Sequence, residues 1–128
     1  MKKRVRLLRS GDFQRVLGAE RVFVGRTLVA FAAPDRRPER RPPGVGLRVG
    51  VAAARRIGGA VSRNRAKRRL REAVRVSFPA GLGGGEMGTA YDVVIIARPP
   101  VLTAPQEQIA AEVRAVWERL ERGRDPGS

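Results

Sequence analysis

The chain has 128 residues, 42% of them apolar and 30% charged, with a formal net charge of +15. It contains neither cysteine nor histidine, which excludes a disulfide framework, thiolate chemistry, and the commonest general base and metal ligand. The length fits one ordinary domain able to bury a core without staples, and the charge calls for a polyanionic partner, nucleic acid before an acidic membrane surface.

Residues 1–9 read as a basic N-terminal arm that lacks the apolar run of a secretory signal. No stretch approaches the ~20 apolar residues of a membrane span, so no membrane is expected and a reducing cytoplasm is the simplest location. Ser10 can cap a short helix, with Asp12 in its first turn and Phe13, Val16 and Leu17 on one face. Gly18 ends it. Arg21 to Ala33 is rich in β-branched and aromatic residues and reads as two strands parted at Gly25. Residues 34–44, "PDRRPERRPPG", read as a flexible loop, since four prolines in eleven residues cannot continue a strand.

Gly46 to Ala54 is the next strand, apolar on both faces and therefore interior. A loop with Gly58 and Gly59 follows, then a helix that ends near Phe78 and Pro79, then a glycine-rich connector over 80–89. Tyr91 to Ala97 is the clearest buried strand. Thr103 is expected to cap the last helix, with Gln106 three residues on as in a capping box. Ile109, Val113, Val116, Trp117 and Leu120 then repeat at helical spacing on one face. Residues 122–128 read as a frayed tail. The whole is expected to be a single α+β domain, a mixed sheet with helices packed against it, in the order αβββαβα.

The stretch "SRNRAKRRLREAVR", Ser62 to Arg75, holds seven basic residues and one acid, Glu72. On a helix, Ala66, Leu70, Ala73 and Val74 gather in an arc of roughly 100°, the buried seam. Arg63, Asn64, Lys67, Arg68, Arg71 and Arg75 fill the adjoining face. Like charges four apart destabilise an isolated helix by about 0.2–0.5 kcal/mol per pair, so a binding partner is the natural compensation. Solvated faces normally mix signs, and this one does not. Asn64 both donates and accepts, so it can read a base edge or a 2′-OH; a buried structural amide is the competing role. A basic leucine-zipper arm is excluded, because proline and a glycine-rich connector follow where heptads are required.

"RIGGAVSRNRAKRRLREA" closely resembles the signature of the bacterial ribonuclease P protein component, whose hallmark is Arg63-Asn64-Arg65. "RLLRSGDFQRVL", "RVGVAAARRIG" and "YDVVIIARP" resemble its N-terminal segment, central strand and last strand, in the right order. The resemblance implies a compact two-layer α/β sandwich with a left-handed βαβ crossover, like the second domain of a small-subunit ribosomal protein. It implies a protein subunit that binds a catalytic RNA and the 5′ leader of precursor tRNA, with the RNA performing Mg2+-dependent leader removal. A 1:1 protein–RNA assembly is implied, with no cofactor held by the protein.

By resemblance, Arg55, Arg56, Arg63, Asn64, Arg65, Lys67, Arg68 and Arg71 contact the catalytic RNA, and Phe13, Leu17, Phe31 and Arg98 belong to a leader-binding cleft. Leu17 stands where relatives often carry phenylalanine, removing one stacking platform. Arg69 stands where an apolar residue is common; it is expected to snorkel or to add an RNA contact. The twelve carboxylates are scattered, so no two-metal nuclease centre, protein catalytic residue or protein metal ligand is expected. Two other classes remain in play: a structural RNA-binding protein of the ribosomal kind, and a protein-only nuclease, disfavoured by the same absences.

Overall fold

The computed structural model describes residues 5–7, 16–34, 47–77 and 91–123. Five strands form one mixed sheet: β1 (Val5–Leu7), β2 (Glu20–Val24), β3 (Leu28–Pro34), β4 (Leu47–Ala53) and β5 (Tyr91–Ala97), in the spatial order β1-β4-β5-β3-β2. β1, β4 and β5 run parallel to one another, while β3 is antiparallel to both β5 and β2. Two helices, α1 (Ala60–Ser77) and α2 (Gln106–Gly123), complete the fold. α1 is the crossover between the adjacent parallel strands β4 and β5.

β5 is central because it is apolar at every position from Val93 to Ala97, and both of its faces are covered. Val93, Ile95 and Ala97 join Leu28, Ala30, Ala32 and Val49 in the main core beneath the helices. The alternate residues Val94 and Ile96 turn to the other face, where they meet Val16, Ala19, Phe31 and Ala33. α1 enters the main core through Ala66, Leu70, Ala73 and Val74, the seam that its spacing predicts. α2 enters through Ile109, Val113, Val116, Trp117 and Leu120, all buried.

The β2–β3 turn is held from below. Glu112 of α2 accepts from the Thr27 backbone N–H at 3.0 Å and from Thr27 Oγ1 at 2.8 Å. A Cβ on Gly25 would fall on the Glu112 carboxylate and the Phe23 ring, so a side chain there would push both aside and disturb the bonds from Glu112 to Thr27.

The structure departs from the sequence reading at four places. Part of the N-terminal arm, Val5–Leu7, is a strand paired with Leu47–Val49, so a strand precedes the expected element order. Pro34, read as the start of the loop, still belongs to β3 and pairs with Tyr91. Thr103 does not cap α2: it ends a 3-10 turn over Pro99–Leu102, its N–H bonded to the Pro100 carbonyl, and α2 starts at Gln106. That helix runs on to Gly123, into the segment read as a frayed tail. The expected N-terminal helix is described only at its end, where the Ala19 N–H closes onto the Val16 carbonyl at 2.9 Å. Ser10, Asp12, Phe13 and the bodies of the 34–44 and 80–89 segments lie outside the described residues.

Candidate nucleic-acid interface

The chain leaves β4 through a 3-10 turn at Arg55–Ile57, which buries Ile57 and leaves Arg55 and Arg56 exposed. Gly58 follows at φ 136°, a conformation that L side chains rarely adopt. This reversal sends the backbone directly into α1, whose first bond runs from the Arg63 N–H to the Gly59 carbonyl at 2.9 Å. No acid sits in the first turn of α1, so its positive end is uncompensated.

A groove of ≈ 340 Å³ opens between the end of β4, the 3-10 turn and the start of α1, lined by Val51, Ala52, Ala53, Arg55, Ala60, Arg63, Asn64 and Lys67. Its floor is made of small residues and its rim carries three cations and one amide. Arg65, Arg68 and Arg71 stand exposed on the outer surface of the same helix. Six of the eight residues assigned to RNA contact therefore lie on one helix, and Arg55 and Arg56 join them from the turn before it.

Two arginines of α1 are spoken for. Arg75 donates to Glu72 through Nε at 3.2 Å and Nη2 at 2.6 Å, a two-pronged pair on the exposed surface. That hydrogen bonding holds the Glu72 carboxyl below its ordinary value and raises Arg75. The only acid of the helix is thus matched to the last of its arginines, and Arg63, Arg65, Lys67, Arg68 and Arg71 have no carboxylate partner among the described residues. Arg69 turns inward to the α2 side, bonded to Val101 and Gln106, instead of joining the outer face.

The second expected site lies on the opposite side of the sheet. Phe31 is half-buried there, packed against the cluster of Val16, Ala33 and Val94. Leu17, the neighbour of Val16 in the chain, is 37% exposed. Arg98 stands apart from this pair. Its Nη1 donates to the Gly25 carbonyl at 2.6 Å and its N–H to the Thr27 carbonyl at 2.8 Å, which fastens it to the β2–β3 turn. Phe31 pairs with Val94, and the four residues from there to Arg98 span about 13 Å of strand.

Sequence reasoning missed the small residues that make the groove concave and the polar ties that aim its walls. Ala52 and Ala60 contribute by lacking bulk, which no local pattern marks. Gln106 looks like a capping residue in the sequence but bonds Arg69, 37 positions earlier. Among the described residues no group of three or more His, Cys, Asp or Glu side chains converges as a metal site, and no helix is long and apolar enough to cross a membrane.

The family model for Ribonuclease P matches residues 1–121. The chain is 39% identical over 117 residues to the ribonuclease P protein component of Chloroflexus aurantiacus, covering 91% of this chain and 77% of the relative. It is 39% identical over 119 residues to that of Symbiobacterium thermophilum, covering 93% of each. Among solved structures, the RNase P protein of Staphylococcus aureus superposes with a TM-score of 0.61 at 24% identity, over 88% of this chain and 92% of that one. That of Thermotoga maritima gives 0.63 at 19% identity, over 89% and 96%. At such identities these structures speak for the fold.

Proposed function

The chain belongs to the ribonuclease P protein family, and from that premise we propose that it binds the catalytic RNA through α1 and the 5′ leader of precursor tRNA on the opposite sheet face. The observation that carries the reading is the continuity of the groove rimmed by Arg55, Arg63, Asn64 and Lys67 with the exposed row Arg65, Arg68 and Arg71. A concave, one-sign surface of this kind fits a folded RNA backbone, with arginines taking phosphates and Asn64 a base edge or a 2′-OH. Phe31 and Leu17 supply apolar contact for unpaired leader bases.

The protein's part is binding and orientation. The chain has no histidine or cysteine, and the described acids do not converge, so hydrolysis is assigned to the RNA with its own Mg2+ ions. The working assembly is one protein with one RNA in the cytoplasm, and its product is tRNA with a mature 5′ end. A structural RNA-binding role is the competing reading, served by the basic face alone; it leaves the apolar surface around Phe31 without a task.

The test is cleavage of precursor tRNA at low magnesium by the cognate RNA alone, the protein alone, and both. Strong cleavage is expected only with both. Cleavage by protein alone would replace this mechanism, and properly folded RNA that the protein fails to stimulate would leave a structural RNA-binding protein.

A further inference from the structure

One arginine of the basic helix serves that helix from behind. Arg69 is half-buried where α1 meets the Pro99–Leu102 turn and the start of α2. Its Nε donates to Gln106 Oε1 at 3.1 Å and its Nη1 to the Val101 carbonyl at 2.6 Å. Gln106 Nε2 returns a bond to the backbone carbonyl of Arg69 itself at 2.9 Å. One amide therefore grips both the main chain and the side chain of a single α1 residue.

The place of this grip matters because the seam of α1 is poor in pegs. Two of its four buried residues, Ala66 and Ala73, are alanines, and small side chains resist rotation about the helix axis less than interlocked large ones. On the helix, Arg69 lies on one flank of that seam, and Lys67 and then Asn64 follow on the other, along the groove. A tie on the first flank sets the height of the second. Rolling α1 by about 20° carries a side chain at a radius of about 5–6 Å through about 2 Å. That is several times the ~0.5 Å range of good hydrogen-bond lengths.

We infer that Arg69 is a positioning residue for the RNA interface: together with Gln106 it fixes the roll of α1 and so the placement of Arg63, Asn64 and Lys67 along the groove. The inference rests on the RNA-binding reading above. It concerns an arginine that touches no phosphate, within a helix whose other open arginines are assigned to do so.

The test is a double-mutant cycle with Arg69→Met, Gln106→Ala and the double variant in the full chain. Binding to the cognate catalytic RNA is measured at several KCl concentrations, well below each variant's Tm, which is recorded alongside. Each single change is expected to weaken binding about tenfold. The double variant should weaken it no further than either single one, because both act through one link. The salt slope of all three should stay close to that of the native chain, since a shift of about 2 Å spoils hydrogen-bond geometry but leaves every assigned cation well within a Debye length of the RNA.

A slope lowered by about one unit in Arg69→Met would make Arg69 a phosphate ligand and overturn the inference. Unchanged affinity with a lowered Tm would make the tie merely structural and overturn it equally. If Arg69→Met does not fold, Gln106→Ala carries the same expectation with every charge in place. Failure of the native chain to bind the RNA would sink the functional reading beneath. Binding by the native chain with equal binding by the variants would remove only the positioning role.

Discussion

Arg68→Ala offers the sharpest check on the RNA face, because its effect can be worked out before the measurement. Arg55, Arg56, Arg63, Arg65, Lys67, Arg68 and Arg71 are the cations assigned to it. If each neutralises one phosphate, the logarithm of the binding constant should fall with the logarithm of salt at a slope of about 5 to 6. Removing one cation lowers that slope by about 0.7–0.9, so the deficit of Arg68→Ala shrinks about threefold between ~50 and ~200 mM KCl. Arg65→Ala should behave alike. The control is the double variant Glu72→Ala/Arg75→Ala, which deletes the two-pronged pair at constant net charge and should leave the slope as it is. Filter binding or fluorescence titration with the catalytic RNA reads all three. An undiminished slope in both single variants would place the RNA on another surface, and a full unit lost in the pair-deleted one would add Arg75 to the phosphate ligands.

The remaining expectations concern the cleft and the frame. Phe31→Ala should weaken precursor tRNA by about 1–3 kcal/mol and mature tRNA much less; equal losses in a direct binding comparison would mean that the ring does not meet the leader. Leu70→Ala, at a fully buried seam position, should cost about 2–5 kcal/mol in chemical denaturation, and a cost under ~1 kcal/mol would contradict the packing of α1. Glu112→Ala strands both Thr27 donors and should cost about 1–3 kcal/mol; an unchanged midpoint in urea would show that water replaces the carboxylate freely. The Tm of the free protein should rise as KCl goes from ~20 to ~200 mM, because salt screens its self-repulsion, and a flat or falling Tm would mean that repulsion is not a significant cost.

Much of this arrangement can be read from periodicity, and the parts that cannot share a cause. The α1 seam, the buried face of α2 and the central strand β5 follow from apolar spacing within one element, where sequence neighbours are also spatial neighbours. β1 is a strand only because Leu47–Val49 lies alongside it; alone, "VRL" in an arginine-rich stretch carries no strand signal. Thr103 and Gln106 fit a capping box in spacing, but Pro99 and Pro100 open a 3-10 turn that Thr103 closes, and Gln106 is drawn to Arg69. Arg98 lies at the basic end of its strand, as expected, yet its bond to the Gly25 carbonyl depends on where the β2–β3 turn folds back. The basic face is legible and its inward-turned member is not, because Arg69 differs from Arg68 only by the one-residue turn of about 100° that brings it beside the seam.

The charge on α1 raises the question of whether the helix exists before the RNA arrives. With Arg75 set aside as the partner of Glu72, the exposed and groove-lining cations form four close like-charge pairs: Arg63 with Lys67, Lys67 with Arg71, Arg65 with Arg68, and Arg68 with Arg71. At about 0.2–0.5 kcal/mol each, they cost about 1–2 kcal/mol. Against this, burying Leu70 and Val74 contributes about 3–6 kcal/mol, before the alanines or the bonds to Gln106 are counted. The seam outweighs the repulsion, so like charge alone does not melt the helix, and the folded chain holds its charged face in place. Binding then adds relief of repulsion and release of counterions without the ordering cost that a folding-on-contact arm would bear. A surface held in this way is only as accurate as its attachment to the fold, and for α1 that attachment includes two large side chains, two small ones, the Ser77 hydroxyl bonded to the Ala110 carbonyl at its far end, and the grip on Arg69.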